Sequence, residues 1–205
     1  MCLTNMVMTC AVYQAIREFK EGSAADLDRA LTETMQLFGR RYPGRGYGGH
    51  FKLWLSSGAP RPYNSFGNGA AMRVSAAGFL AESLEEARAL ARSSAGVTHN
   101  HPEGIKGAVA TAEGIFLARG GASLAEIRSA LSAYYDLDFT LDAIRPDYAF
   151  DVTCQGTVPQ AIVAFLEMRY IALIFMTDTA LLNAVTVCLR LMPRKSIITR
   201  YGRFS

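Results

Sequence analysis

The chain has 205 residues, half of them hydrophobic, which suits one globular domain with a sizeable core, or two small ones. Its formal net charge at pH 7 is only +3, so it lacks the strongly basic surface of a nucleic-acid-binding domain. The charge is uneven, because residues 179–205 hold five basic side chains and no acidic one. We interpret this basic tail as a solvated terminus. A contact with an acidic partner or with nucleic acid is the alternative.

The spacing of the cysteines and the length of the uncharged apolar segments indicate the cellular compartment of the protein. The four cysteines are scattered without a Cys-x-x-Cys pair: Cys2, Cys10, Cys154 and Cys188. Residues 2–15 are rich in apolar side chains but lack the basic start of a secretory signal. Charges interrupt the apolar region 159–192 too often for a membrane span, which needs about 18 uncharged residues in a row. These patterns predict a cytoplasmic protein with free thiols and no membrane partner.

Apolar residues recur every three or four positions along most of the chain, which is the periodicity of amphipathic helices. No pair of strands and no internal repeat is predicted, so the expected fold class is all-α. We expect one helical domain over residues 1–167 and a divergent, basic C-terminal segment over residues 168–205. The predicted helices span residues 6–20, 24–38, 83–94, 103–119, 123–135 and 157–167, with a poorly docked helix over 168–192.

Two stretches are predicted to be irregular. Residues 39–72 are rich in Gly, Pro, Tyr and Asn, and residues 134–156 read as mostly loop. The second stretch contains three closely spaced aspartates: Asp136, Asp138 and Asp142. A calcium-binding loop would also need a central Gly and a terminal Glu, which residues 139–141 and their neighbours do not supply. We therefore interpret these carboxylates as solvated or as helix caps.

Two of the three histidines lie in THNHPEGIKGA, residues 98–108. His99 and His101 point the same way on an extended segment, and Pro102 favours such a segment followed by the first turn of a helix. A zinc site is one interpretation, but it needs further ligands, and His50 is the only other histidine. A packed loop without a ligand is a second. We favour a third, a polar ligand-binding loop at a helix N-terminus, where free N–H groups attract anions.

Two further polar loops contain glycine and lead into apolar segments. In SFGNGAAMR, residues 65–73, Gly67 and Gly69 bracket Asn68, and glycines allow backbone N–H groups to approach a ligand closely. The same pattern also makes an ordinary turn, so alone it is a weak signal. The third loop is TCQGTVPQA, residues 153–161. If these three helix starts converge, they form one polar pocket in a helical bundle.

The strings SFGNGAAMR, THNHPEGIKGA, YYDLDFTLDAIRP and FDVTCQGTVPQAIVAFLE closely resemble the ADP-ribosylglycohydrolase family in its shorter bacterial form, over roughly residues 3–167. The resemblance implies an orthogonal multi-helix bundle with long loops lining one cleft, and an active site with two magnesium ions. It implies hydrolysis of the bond between ADP-ribose and a protein side chain or a related acceptor. ADP-ribose or an ADP-ribosylated protein is then the expected partner. We expect a monomer that binds no nucleic acid.

The resemblance also assigns the three loops. The histidine loop would line the adenosine side of the cleft, the Gly-Asn-Gly loop would hold the diphosphate and ribose, and the third loop would close the adenine end. No catalytic residue is assigned in this way. The ADP-ribose-binding residues that the resemblance implies are Gly67, Asn68, Gly69, Arg73, His99, His101, Gly104, Cys154, Gln155 and Gly156.

The metal-binding motifs depart from the pattern of the family. A Gly-Asp segment with a following Glu normally precedes the strings quoted above, and Thr-Asp-Asp-Thr should stand just before VMT. The sequence reads LTNMVMT, so Thr4 and Asn5 occupy the metal positions, where a hydroxyl and an amide would bind magnesium poorly. The last motif, Gly-Gly-Asp-x-Asp-Thr, is echoed only by Asp178 and Thr179. We interpret this echo as accidental.

Three hypotheses about function remain open. The first is a family hydrolase that is incomplete or altered at both ends, and therefore impaired. The second is a non-catalytic ADP-ribose-binding pseudoenzyme or a truncated fragment. The third is an interaction module that uses its basic tail, and the three ligand loops argue against it. A truncated or frame-disrupted gene would explain why the resemblance stops abruptly after Glu167.

Overall fold

The structure, a computed structural model, describes residues 2–19, 22–149 and 151–167, with the side chains of residues 2–4 left aside. Over these ranges the fold is all-helical, as the apolar spacing predicts, and it contains no strand beyond one isolated antiparallel bridge between Gly67 and Thr153. The helix predicted over 168–192 lies outside the described residues. The helices of the described part are α1 (Cys2–Glu18), α2 (Ala24–Arg41), α3 (Gly49–Ser56), α4 (Gly69–Met72), α5 (Ser75–Leu80), α6 (Leu84–Gly96), α7 (Pro102–Arg119), α8 (Leu124–Leu131), α9 (Leu141–Ile144) and α10 (Cys154–Glu167).

Local side-chain caps explain where several helices begin. The Ser23 hydroxyl accepts from the Asp26 N–H at 3.3 Å, and the Asp26 carboxylate accepts from the Ser23 N–H at 3.0 Å. Ser123 and Glu126 form the same reciprocal pair at the start of α8. Such a capping box satisfies N–H groups that the first helical turn leaves unpaired, so both helix starts are set by residues close in sequence.

Helix α7 lies at the centre of the bundle, in contact with α4, α5, α6, α8 and α10, which confirms the prediction of a central helix over residues 103–119. Small residues make these close crossings possible. A methyl group added at Gly107 would lie 2.6 Å from the sulfur of Cys154 in α10. One added at Gly78 in α5 would lie 2.5 Å from the carbonyl oxygen of Ala112. Larger side chains at either position would therefore force the helices apart.

A buried ionic cluster ties α6 to α7 and to the segment after α8. The Glu113 side chain in α7 is only 2% exposed. Arg88 donates to both of its oxygens, at 2.8 and 3.0 Å, and the Tyr134 hydroxyl donates to one of them at 2.6 Å. Because the carboxylate is paired and hydrogen-bonded, its burial is tolerated, and removing its charge would leave the partners poorly compensated.

The prediction of an irregular stretch over residues 39–72 was wrong for residues 49–56, which form α3. Phe51, Trp54 and Leu55 of this helix are buried at helical spacing. The residue before the helix, Gly48, provides no side-chain cap, so the local start signal was missing. Helices α4, α5 and α9 were also not predicted, and each is short, with four to six residues.

The prediction of free thiols holds for Cys154, which is buried and unpaired. It is wrong for Cys10, which is disulfide-bonded. Disulfides depend on the approach of two cysteines in the folded chain, so scattered sequence positions gave no indication of this bond. Among the helices described, none combines the length and the apolar character needed to cross a bilayer.

Candidate functional site at three converging loops

The Gly-Asn-Gly loop and the loop before α10 are joined by backbone hydrogen bonds. The Asn68 N–H donates to the Val152 carbonyl at 2.8 Å, and the Cys154 N–H donates to the Phe66 carbonyl at 2.9 Å. The Cys154 thiol adds a bond to the Gly67 carbonyl at 3.3 Å. Segments almost 90 residues apart in sequence are thus held side by side as a short two-stranded contact.

The histidine loop packs against the same Gly-Asn-Gly loop. A methyl group added at Gly69 would lie 3.3 Å from Nε2 of His99, and one added at Gly67 would lie 3.6 Å from it. At the start of α7, a methyl group on Gly104 would lie 2.6 Å from the carbonyl oxygen of Ser65 and 2.9 Å from that of His99. Glycine at position 104 therefore allows the loops around Ser65 and His99 to meet at the N-terminus of α7.

His99 is buried, with 6% of its surface exposed. Its Nδ1 lies 2.7 Å from the hydroxyl of Thr98. Burial, assisted by the nearby Arg73 cation, lowers the pKa of His99 to about 3. The imidazole is therefore neutral at physiological pH, and its Nε2 edge faces Gly67 and Gly69. No described residue forms a hydrogen bond with Nε2, so this atom is available to a ligand.

Arg73 points into the protein rather than into the cleft. Its side chain is 2% exposed, and one nitrogen, Nη2, donates to the Ser94 carbonyl at 2.6 Å and to the Thr98 hydroxyl at 2.7 Å. Burial lowers the pKa of Arg73 to about 10, so the guanidinium stays charged at neutral pH. In this arrangement the side chain does not reach the loop surface, although the resemblance had grouped it with the binding residues.

His101 caps helix α7. Its Nδ1 accepts from the Glu103 N–H at 3.1 Å, and Pro102 occupies the first helical position, as the sequence pattern predicts. The ring also meets Phe66 edge-on, with 5.4 Å between the ring centroids. His101 therefore stabilises the helix start and the loop before α4, while His99 alone faces the glycines.

The third predicted loop is helical from Cys154 onward, so its three predicted residues lie in the first turn of α10, where they occupy different environments. Cys154 is fully buried, and burial raises the pKa of its thiol to about 11. Gln155 is exposed. Gly156 donates its N–H to the Thr153 hydroxyl at 3.0 Å, and a methyl group there would overlap the carboxylate of Asp151. Of the three, Cys154 is thus enclosed in the core, and Gln155 is open to a ligand.

Four residues of the site were not singled out from the sequence. Thr98 hydrogen-bonds His99, and Ser65 accepts from the Gly67 N–H at 3.1 Å. Asn100 accepts from the N–H of Asn64 at 2.7 Å, and Asn64 has a left-handed backbone with φ of 53°. Thr98, Asn100 and Ser65 lie inside the quoted strings and Asn64 adjoins one, but nothing local indicated the bond between Asn64 and Asn100, which are 36 residues apart.

The two expected metal positions lie in α1, a helix that contacts α4. Thr4 and Asn5 are in the first two turns of α1, and Asn5 shares a helix face with Thr9, four residues later. The Thr9 hydroxyl donates to the Met72 carbonyl at the end of α4, at 3.5 Å. A hydroxyl and an amide are a poor donor set for Mg²⁺. No three His, Cys, Asp or Glu side chains of the described ranges lie close enough to hold a metal ion. Asp178 lies outside those ranges, and the residues that are described do not fit the ion.

The fold and site define an all-α domain in which three polar, glycine-containing loops meet around a buried neutral histidine. The model of the ADP-ribosylglycohydrolase family matches residues 4–187, and the chain belongs to this family. The match continues past residue 167, where the resemblance was expected to stop, and it includes Asp178. No curated protein matches the chain at a significant level. Family membership supports a hydrolase of ADP-ribosylated substrates by resemblance.

Proposed function

We propose that this protein binds ADP-ribose at the three converging loops and is a hydrolase of ADP-ribosyl bonds by descent, with turnover far below that of a typical family member. The observation that carries the binding proposal is the meeting of Gly67, Gly69 and His99 around an Nε2 atom with no described protein partner. Glycines there let a diphosphate approach the backbone, and a neutral imidazole N–H donates to an oxygen without competing for protons.

Calorimetric titration with ADP-ribose tests the binding. A Gly69→Val variant should lose at least about tenfold in affinity, because its Cβ would begin 3.3 Å from His99 Nε2 and its branches would fill the approach to the backbone. Gly58→Val is the matched control, since nothing lies within 4 Å of a methyl group at that position. Equal affinity of Gly69→Val and the parent, or no binding by the parent, would reject the assignment.

The proposed loss of turnover follows from the metal donors. Two-metal hydrolysis needs ions about 3.5–4 Å apart that activate water and orient the substrate, and each ion needs carboxylates. Thr4 and Asn5 stand where the resemblance expects two aspartates. In the last metal-binding motif that the resemblance expects, Asp178 is not preceded by Gly-Gly-Asp.

Release of ADP-ribose from a modified protein, with and without magnesium, measures this activity. The chain should release far less than a typical family member. Asp substitutions at Thr4 and Asn5 alone should not restore activity, whereas restoring the Gly-Gly-Asp-x-Asp-Thr motif as well should. Robust magnesium-dependent turnover by the unmodified chain would overturn the proposal, and would indicate that Asp178 or another carboxylate serves as a ligand.

A non-catalytic ADP-ribose-binding protein is the second candidate. It is favoured by one observation, that the loops around His99 are intact while the metal positions are changed. The two candidates differ in affinity. A hydrolase that has lost function should bind ADP-ribose weakly, whereas an adapted binder should bind it tightly without magnesium, and the same titration distinguishes them.

A further inference from the structure

Arg73 is a buried cation without an anionic partner. Its guanidinium is almost fully enclosed, and no carboxylate in the described ranges forms an ion pair with it. Its Nε is buried and makes no hydrogen bond. Enclosing an unpaired charge in this way is costly, and the two hydrogen bonds that Nη2 donates only partly offset this cost. These two bonds are therefore candidates for a function beyond packing.

The bond from Arg73 to Thr98 constrains the role of the Thr98 hydroxyl. An arginine can only donate, so the Thr98 oxygen accepts from Arg73 at 2.7 Å. The hydroxyl keeps its proton and a second lone pair, and among the described residues the one acceptor found for that proton is Nδ1 of His99, at 2.7 Å. The arrangement that leaves the hydroxyl proton paired is therefore the one in which Thr98 donates to Nδ1. Because Nδ1 accepts, the single proton of the neutral ring resides on Nε2.

That Nε2 proton faces the ligand loop. Nε2 lies 3.3 Å from the position of a methyl group on Gly69 and 3.6 Å from that on Gly67. The ring is buried and neutral, so without the Thr98 bond either nitrogen could carry the proton. A proton on Nδ1 would turn the atom facing the loop into an acceptor, which would repel the oxygens of an anionic ligand.

We propose that Arg73 is a positioning residue, which acts through the Thr98 hydroxyl to hold His99 in the tautomer that presents an Nε2–H donor to the Gly67–Gly69 loop. The proposal reassigns Arg73 from direct ligand contact to control of the contacting histidine. Its tautomer part stands on the protein alone, and only its affinity part rests on the proposed ADP-ribose binding.

The tautomer is measured on the full chain labelled with ¹⁵N-histidine. A two-bond ¹H–¹⁵N correlation spectrum distinguishes a protonated from an unprotonated ring nitrogen, and a His99→Gln variant identifies the His99 signals among those of the three histidines. In the parent, the proton should reside on Nε2. A parent that carries it on Nδ1 would overturn the proposal, and this measurement requires no folded variant of Arg73 or Thr98.

Two substitutions at Thr98 provide the comparison. Thr98→Val keeps the shape but removes the hydroxyl, and should shift a measurable part of the His99 population to the Nδ1–H tautomer. Thr98→Ser keeps the hydroxyl and should retain the parent spectrum. A change that only loosened the packing would not move the proton between nitrogens. Parent-like His99 signals in Thr98→Val would therefore overturn the proposal.

Affinity for ADP-ribose, measured by calorimetry, connects the tautomer to the ligand. Thr98→Val should bind about tenfold more weakly or worse, because hydrogen bonds to charged groups are among the stronger ones, while Thr98→Ser should stay within about twofold. Equal affinity of Thr98→Val and the parent, despite a shifted tautomer, would overturn the role toward the ligand. If the parent does not bind ADP-ribose but the tautomer shifts as expected, the proposed function fails and the positioning of His99 through the Thr98 hydroxyl stands.

Discussion

Replacing Gly104 by Ala should destabilise the protein, although alanine is the better helix former. In a helix, alanine is favoured over glycine by up to about 1 kcal/mol. The added methyl group, however, would lie 2.6 Å from the carbonyl oxygen of Ser65 and 2.9 Å from that of His99. Both are backbone atoms, which a rotamer change does not move aside. Overpacking of this kind costs about 1–3 kcal/mol, so after the gain in helix propensity we expect a net loss of stability of up to about 2 kcal/mol.

Urea unfolding followed by circular dichroism measures this loss, and Gly96→Ala at the end of α6 is the matched control. A methyl group at Gly96 has nothing within 4 Å, so only the gain in helix propensity should appear there. The difference between the two variants isolates the clash at Gly104. ADP-ribose affinity should fall only in Gly104→Ala, since the clash displaces Ser65 or His99. Equal stability of the two variants would refute the close approach of the loops to α7.

Three further predictions concern buried groups. Glu113→Gln should lower the free energy of unfolding by about 1–2 kcal/mol, because the buried side chain loses its charge-assisted bonds from Arg88 and Tyr134, while the exposed Glu85→Gln should change it little in the same urea titration. The pKa of His99 is lowered to about 3 in the folded chain, whereas in the unfolded chain it is near 6.5. Below pH 6.5 the unfolded chain therefore binds a proton that the folded chain does not, and the free energy of unfolding falls as the pH falls. From pH 6.5 to 5.5 the parent should therefore lose about 1 kcal/mol more than His99→Gln, and parallel urea midpoints would contradict this. Cys154 should resist iodoacetamide at pH 8 until the protein is unfolded, since burial raises the pKa of its thiol to about 11, and rapid labelling detected by peptide mass spectrometry would disprove the burial.

Much of the helical fold could be predicted, because its signals are local. The start of α7 followed from Pro102 and the small, apolar residues after it, and the predicted start was within one residue of the observed one. Helix α2 has a capping box at Ser23 and a regular apolar face. Helix α8 was predicted to continue to residue 135 but ends at Leu131. The chain turns there, and Tyr135 is buried in the core instead of continuing the helix.

The candidate site was only partly predictable. The sequence singled out the loops around Gly67, His99 and Cys154 by their glycines, polar residues and position before helices. It did not show that Arg73 turns inward, because the partners of this residue, Ser94 and Thr98, lie 21 and 25 residues later. Whether an arginine meets a ligand or the protein depends on which helix packs over it.

The sequence by itself determined the all-α fold class, the position of the central helix α7 and the family. The signals for these are local, because helical periodicity, helix caps and motif strings each involve residues close in sequence. Only the tertiary structure decided how the loops meet. The bonds between Asn68 and Val152, and between Thr157 and Asn68, join segments more than 80 residues apart. The protonation state of His99 also depends on the tertiary structure. It is set by the burial of the ring and by its hydrogen bond with the Thr98 hydroxyl, and both arise only when α4, α6 and α7 pack together.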